Sequence, residues 1–114
     1  MKLSEIKDKL ELHPFTEKEK DEEVTGVYCG DLLSDVMAHA EAGNLWFTIQ
    51  NHLNIVAVGQ LKEVAAIVIV NDVAPDPQTI SKAKSQEVDI YGSSRTSAEL
   101  CMALAQLPGF KKQG

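Results

Sequence analysis

A group of polar residues suited to binding an anion surrounds Arg95. Ser93, Ser94 and Thr96 lie on either side of this arginine, directly before a predicted helix whose first N–H groups have no intrahelical partner. A guanidinium beside hydroxyls and free amides is the chemistry that binds a phosphate or a carboxylate. In the alternative interpretation, the hydroxyls cap the helix and Arg95 is a surface charge. Without further support, the sequence favours this alternative.

Two carboxylates and one histidine are the remaining candidates for chemistry. Asp31 and Asp35 lie one helical turn apart and can in principle hold a cation or act as an acid/base pair, although an N-cap and an exposed residue are more typical roles. His52 follows Asn51 in a predicted strand-to-helix loop, where it is either a ligand contact or a plain surface histidine. An enzyme that uses Asp31, Asp35 and His52 is the lowest-ranked hypothesis.

The motifs of common catalytic and metal centres are absent from the sequence. His13, His39 and His52 lack the spacing of a zinc pair, and no HExxH, GxSxG, GxGxxG or Walker motif occurs. Cys29 and Cys101 form no CxxC motif, so we predict that they are buried free thiols. We therefore predict a protein with no metal centre, no cofactor and no catalytic residue.

The elements that must position these residues alternate between helix and strand. A helix is predicted over residues 3–12, capped by Ser4 and ended by His13 and Pro14, and a charged surface loop over 16–23. Further helices are predicted at 31–43, 51–61, 77–86 and from the Thr96/Glu99 capping box onward, and strands at 24–29, 45–49, 65–70 and 88–91.

This alternation predicts an α/β fold. We expect a three-layer sandwich with a mostly parallel, possibly mixed, central sheet of about 4–6 strands. The continuous apolar run at residues 65–70 is typical of a central strand. Residues 1–110 are predicted to form a single domain, followed by a flexible tail at 111–114.

In such a sheet, the loops that leave the carboxyl ends of parallel strands meet at one edge, where ligands usually bind. This topology gathers the polar loop residues into one predicted binding site. The candidate ligand-binding residues are Gln50, Asn51, His52, Asn71, Asp72, Ser93, Ser94, Arg95 and Thr96.

Composition narrows the range of partners. The chain of 114 residues has a formal charge of −6, and acidic residues concentrate between Glu17 and Glu23. Nucleic acid and anionic membranes are therefore disfavoured as partners. The first residues lack the apolar run of a signal peptide, and no apolar stretch is long enough to cross a membrane. We therefore expect a cytoplasmic location.

Two stretches of the sequence resemble a known family, the DRTGG domain. They are GDLLSDVM at 30–37 and LWFTIQNHLNIVAVGQLKEVAAIVIVNDVAPDPQTI at 45–80, followed by a short strand and a helix start that contains a threonine. The likeness extends over nearly the whole chain. It implies an α/β sandwich similar to the non-catalytic N-terminal domain of HPr kinase/phosphorylase.

The family resemblance also carries expectations about function. DRTGG modules accompany CBS domains in inorganic pyrophosphatases and occur in phosphotransacetylases, where they resemble regulatory or dimerising units. Stand-alone versions are similar to small proteins encoded near iron-only hydrogenases. In this chain Asn51 and His52 replace the Asp-Arg pair, and residues 70–72 replace Thr-Gly-Gly. The bidentate arginine contact and two glycines are thereby lost.

The leading functional hypothesis is a non-catalytic regulatory domain that senses a small anionic metabolite or nucleotide at the strand-end loops. The alternative hypothesis is a homodimerising interaction module that serves a hydrogenase or another redox enzyme system.

Overall fold

Five strands form one sheet between two layers of helices in the computed structural model, which describes residues 1–16 and 21–110. The tail predicted at 111–114 lies outside these residues. The strands are β1 His13–Pro14, β2 Gly26–Cys29, β3 Asn44–Thr48, β4 Ala66–Ile69 and β5 Ile90–Gly92. The helices are α1 Leu3–Lys9, α2 Leu33–His39, α3 Asn54–Leu61, α4 Pro77–Gln86 and α5 Ser97–Ala105. The predicted α/β class is confirmed.

The sheet is mixed, with the strand order β1-β5-β4-β3-β2. Strands β2 to β5 are parallel neighbours, and β1 pairs antiparallel with β5, where His13 faces Gly92. The prediction of a mostly parallel sheet that is possibly mixed is therefore correct. Strand β4 is central and all four of its residues are buried, as its β-branched run predicts.

The connections between strands decide on which face each helix packs. Because β2 to β5 follow one another in both chain and space, their right-handed crossovers place α2, α3 and α4 on the same face. Val36, Ile55 and Ala83 pack there against Trp46 and Ile67 of the sheet. Helices α1 and α5 cover the opposite face.

The core beneath α1 and α5 contains the other side chains of the same strands. Ile6 and Leu100 of these two helices pack against Phe47, Val68 and Tyr91 of the sheet. Since alternate residues of a strand point to opposite faces, Val68 belongs to this core and its neighbour Ile67 to the other. The two apolar faces of the sheet account for the two helical layers.

The loops that follow β4 and β5 leave the sheet toward opposite faces. The chain passes from β4 to α4 on one face, and from β5 to α5 on the other. Such a divergence opens a crevice at the carboxyl ends of neighbouring strands. The fold therefore provides a topological switch point between β4 and β5.

The amino-terminal segment differs from its prediction. Helix α1 ends at Lys9, and its N-cap residue is Lys2, whereas Ser4 lies within the helix and donates its hydroxyl to Asp21 Oδ1 at 2.8 Å. His13 and Pro14 form strand β1 instead of ending the helix. A proline is compatible with this position because an edge strand need not donate every N–H group to the sheet.

Three other predicted boundaries were wrong. Thr16 was placed in a charged surface loop, but it is buried and donates its hydroxyl to Asp89 Oδ1 at 3.2 Å. Helix α3 begins at Asn54 rather than Asn51. Helix α2 has Leu32, not Asp31, as its N-cap residue.

None of the helices within residues 1–16 and 21–110 combines the length and the apolar character that a membrane span requires.

Candidate functional site

Backbone hydrogen bonds join the two loops at the switch point. The N–H groups of Asn71 and Asp72 donate to the carbonyl oxygens of Arg95 (3.0 Å) and Ser93 (2.9 Å), and the Ser93 N–H group donates to Ile69 (3.0 Å). Asn71 and Asp72 have left-handed φ values of 59° and 60°, which are uncommon for residues other than glycine. The hydrogen bonds hold both residues in this conformation and fix one wall of the crevice.

A cavity of about 390 Å³ lies beside this wall. Its volume lies within the range of small-ligand sites. The cavity is open to solvent on one side and is bordered by the turn between α1 and β1, by β1 itself and by the loops after β4 and β5. The lining residues are Glu11, His13, Phe15, Asp72, Val73, Ala74, Gly92, Ser93 and Ser94.

The aromatic side of the cavity depends on a close approach of Phe15 to Gly92. A Cβ atom added to Gly92 would lie 2.5 Å from Cε2 of Phe15, so no larger residue fits without displacing the ring. The rings of His13 and Phe15 make an edge contact, with centroids 4.9 Å apart and planes at 76°. Glycine at position 92 therefore allows two aromatic rings to border a polar cavity.

Arg95 does not line this cavity itself, but it follows the lining residue Ser94 and contacts the lining residue Glu11. The Arg95 Nη2 and Glu11 Oε1 atoms are 3.6 Å apart, and the two side chains are 39% and 82% exposed. An ion pair this open to water contributes little to stability. The guanidinium is therefore available to a stronger anionic partner.

Thr96 is a helix cap, as the Thr96/Glu99 spacing predicts. Its Oγ1 accepts the N–H group of Glu99 at 3.1 Å, and its own N–H group donates to Glu99 Oε1 at 2.9 Å. The backbone hydrogen bond from Thr96, followed by the hydroxyl contact, lowers the pKa of Glu99. Ser93 is also engaged, since its Oγ accepts the Arg95 N–H group at 3.1 Å.

Asn51 and His52 hold the loop between β4 and α4. The Asn51 side chain donates to the carbonyl oxygen of Ala74 at 2.9 Å, and the backbone carbonyl of Asn51 accepts the hydroxyl of Thr79 at 2.8 Å. The His52 Nδ1 atom lies 3.1 Å from Asp76 Oδ2. Neither residue lines the cavity, although Asn51 contacts the lining residue Ala74.

Gln50 and Asp31 tie the loops after β2 and β3 together. The Asp31 Oδ1 atom accepts the Thr48 hydroxyl at 3.0 Å and the Ile49 N–H group at 2.8 Å, and Gln50 Nε2 donates to the Asp31 carbonyl at 2.8 Å. The carboxylate of Asp31 therefore has a structural role that a local N-cap rule does not predict.

Asp35 belongs to a different network from Asp31. Its carboxylate accepts a short hydrogen bond from the Tyr28 hydroxyl and contacts His39 Nδ1 at 3.1 Å. The Tyr28 hydrogen bond is the main cause that lowers the pKa of Asp35, and it raises the pKa of Tyr28. Asp31, Asp35 and His52 are not hydrogen-bonded to one another, so the structure does not assemble the acid/base group considered from sequence.

The prediction that both cysteines are buried was wrong. Cys29 is exposed and Cys101 is half-buried, and their Sγ atoms lie 3.4 Å apart. Desolvation, and then the hydrogen bond with Cys101, raises the pKa of Cys29 to about 12.

Across residues 1–16 and 21–110, no three His, Cys, Asp or Glu side chains form a group that could hold a metal ion.

Sequence reasoning missed Glu11, His13 and Phe15 as cavity residues. All three reach the site because β1 pairs antiparallel with β5, at the opposite end of the chain. The available local signal was Pro14, which is typical of an edge strand. A two-residue strand otherwise has too short a pattern to be recognised.

Comparisons with known proteins support the fold. No family model and no curated protein match this chain. A similar solved structure contains the CBS and DRTGG domains of the regulatory region of Clostridium perfringens pyrophosphatase, in complex with the activator diadenosine tetraphosphate. The TM-score is 0.67 at 13% identity, over 91% of this chain and 46% of the other.

This chain spans less than half of the length of that solved chain. At this identity the likeness shows the fold alone, and it supports the DRTGG-like fold expected from the sequence. The similar structure is a regulatory region.

Proposed function

We propose that residues 1–110 form a regulatory domain that binds a small anionic metabolite, with nucleotides as the leading class. The observation that carries this proposal is the cavity of about 390 Å³ at the switch point, whose lining residue Glu11 lies 3.6 Å from Arg95. The similar pyrophosphatase region was solved with a nucleotide activator, which supports the choice of ligand class. Binding without catalysis is the proposed role.

Arg95 is the group that would recognise the anion. It is the only arginine in the sequence, and its guanidinium can contact two phosphate oxygens at once. Its present partner Glu11 is 82% exposed, so replacing that contact costs little. The hydroxyl of Ser94, which lines the same cavity, adds a neutral donor.

The other residues that line the cavity limit the kinds of ligand that can bind there. Glu11 and Asp72 line the cavity together with His13 and Phe15. Two carboxylates repel a ligand that is anionic throughout, but they accept hydrogen bonds from hydroxyl or amino groups. The aromatic rings provide an apolar surface for a base. A ligand with an anion at one end and a base or sugar at the other can interact with Arg95, the two carboxylates and the aromatic rings.

Titration calorimetry and thermal denaturation of the purified chain test this proposal. The probes are AMP, ADP, ATP, diadenosine tetraphosphate and inorganic phosphate, each at matched ionic strength. We expect at least one nucleotide to raise the melting temperature, and Arg95→Ala to weaken its binding about tenfold or more. Lys82→Ala is the matched control, because it removes an exposed positive charge from α4.

Two outcomes would contradict the proposal. One is that none of the probes stabilises the wild-type chain. The other is that Arg95→Ala and Lys82→Ala bind the nucleotide equally well.

The second candidate function is a homodimerising interaction module. Leu32, Ile49 and Leu53 are 68%, 41% and 43% exposed, and they follow the carboxyl ends of the neighbouring strands β2 and β3. Exposed apolar residues in adjacent loops are typical of protein interfaces. A hydrogenase or other redox enzyme as the partner, in the cytoplasm, remains a proposal from the family resemblance and the sequence.

Light scattering over a concentration series tests this second function. We expect a dimer at micromolar concentration, and we expect Leu32→Asp to dissociate it. Leu61→Asp is the control, since Leu61 is similarly exposed (66%) but lies at the end of α3. A monomeric wild-type chain, or equal effects of the two variants, would contradict this function.

A further inference from the structure

Two thiols that are distant in sequence meet on the face of the sheet covered by α5. Cys29 is the last residue of β2 and Cys101 lies in the second turn of α5. The two residues are separated by 72 positions, and their Sγ atoms are 3.4 Å apart. The sequence contains no other cysteine. Neither thiol takes part in the ligand cavity.

We propose that Cys29 and Cys101 form a reversible modification site, at which exchange with a low-molecular-weight disulfide converts the two thiols into an intramolecular disulfide. In the first step a protein thiolate attacks one sulfur of the small disulfide, forming a mixed disulfide and releasing one small thiol. The second protein thiolate then attacks the protein sulfur of the mixed disulfide and releases the other. The protein loses two protons and two electrons, and the small disulfide is reduced to two thiols.

The geometry requires only a small movement. A covalent S–S bond is about 2.0 Å long, so the two sulfurs must approach by roughly 1.4 Å from their present separation of 3.4 Å. Helix α5 is held against the sheet by the buried residues Leu100 and Leu104, which lie on either side of Cys101 in the sequence. Core packing therefore sets the distance between the two thiols.

Access to the pair is provided by Cys29, which is exposed, whereas Cys101 is half-buried. An exchanging disulfide can reach Cys29 first, because it is the more exposed residue, and the sulfur of the resolving Cys101 already lies 3.4 Å from that of Cys29. A pair of fully buried core cysteines would lack this access, since both sulfurs would be closed to solvent.

The electrostatic surroundings affect the rate of the exchange. The attacking species in each exchange step is a thiolate, so a raised thiol pKa lowers the exchange rate. Here desolvation, the hydrogen bond with Cys101 and the nearby Asp31 all raise the pKa of Cys29, to about 12. The reactive thiolate is therefore scarce at neutral pH, and the bond is expected to form slowly.

The test equilibrates the full chain in glutathione buffers of increasing oxidised fraction, followed by acid quenching, alkylation and intact mass measurement. We expect a product that has lost two hydrogens and takes up no alkylating reagent. The double variant C101S/M102C is the matched control: it keeps two thiols but moves one to a side chain that is 63% exposed. We expect it to need at least about tenfold more oxidised glutathione.

A second measurement does not depend on any variant. The wild-type chain unfolded in urea should also need about tenfold more oxidised glutathione, because the fold no longer holds the thiols together. The oxidised folded chain should melt about 10 °C higher than the reduced chain, since the bond closes a long loop. Mixed disulfides alone, an equal midpoint in the control, or an equal midpoint in urea would overturn the proposal.

Discussion

The guanidinium of Arg95 and the carboxylate of Glu11 face each other at 3.6 Å, so the sole arginine of the chain connects the loop after β5 to the turn between α1 and β1. Glu11 has a left-handed φ of 55°, which places it in a tight turn directly before β1. The contact gives Arg95 a partner that competes with any anionic ligand.

Glu11→Gln should therefore strengthen nucleotide binding. Removing the competing carboxylate leaves Arg95 free to bind the ligand. Because the energy of such an exposed ion pair is small, we expect the Kd of the nucleotide to fall about twofold to fivefold. Calorimetry with the nucleotide that stabilises the wild-type chain measures the change. Glu41→Gln, which removes an exposed charge before β3, should leave the affinity unchanged. Weaker binding by Glu11→Gln would contradict this prediction and show that the carboxylate contributes more by contacting the ligand than it loses by competing for Arg95.

Gly92→Ala should destabilise the fold and disturb the cavity together. The new Cβ would approach Cε2 of Phe15 to 2.5 Å and force the ring away, at a cost of about 1–3 kcal/mol in the free energy of unfolding. Urea denaturation measures this cost. Gly26→Ala is the control, since its Cβ would make an ordinary contact at 3.4 Å. Phe15→Leu should relieve part of the cost in the double variant, and a full cost there would contradict the explanation.

Thr96→Ala should remove the cap of α5 and cost about 1 kcal/mol in the free energy of unfolding. The partner Glu99 has a lowered pKa in the folded chain, so its contribution is present above the unfolded pKa and is lost as pH falls through the folded value. The difference between wild type and Thr96→Ala should therefore shrink in acid. Ser97→Ala, one position further along the helix, should change stability less. A difference that is independent of pH would contradict this coupling.

Asp31→Ala should destabilise the loops after β2 and β3 by about 1–3 kcal/mol in the free energy of unfolding, because it leaves the fully buried Thr48 hydroxyl without its acceptor. Asp31→Asn should retain most of the stability, since an amide oxygen can still accept the Thr48 and Ile49 hydrogen bonds. Thermal denaturation of both variants distinguishes this structural role from an ionic one. Equal losses in the two variants would show that the negative charge is essential.

Alkylation of Cys29 by iodoacetamide should be slow at pH 8, about tenfold or more below an unperturbed thiol. Desolvation and the Cys101 hydrogen bond raise its pKa to about 12, so the reactive thiolate is scarce. The rate should increase steadily as pH rises toward that value. Mass spectrometry of the Cys29 peptide gives the rate, with urea-unfolded protein as the reference. Fast labelling of the folded chain at pH 8 would contradict the shift.

The parallel part of the fold was predictable because its signals are local. The apolar run of β4, Pro77 at the start of α4 and the capping box of Thr96 and Glu99 each act within a few residues. These signals predicted the parallel strands and their order along the chain. They also placed the loops of the candidate site on one edge of the sheet.

The rest of the site depends on contacts between distant residues. Strand β1 is two residues long and pairs with β5, so Glu11, His13 and Phe15 enter the cavity without any local pattern. The cysteine pair likewise joins positions 72 residues apart. No periodicity or motif within a short window contains such information.

The strand order of the sheet also affects the order in which parts of the chain fold. Strands β2 to β5 each pair with the strand next along the chain, so this region needs only moderate loop closure to form. Strand β1 instead pairs with β5, the strand furthest from it in sequence, and can do so only after β5 has formed. We therefore expect the amino-terminal segment to join the folding nucleus late, and the aromatic border of the cavity to be completed in the final step.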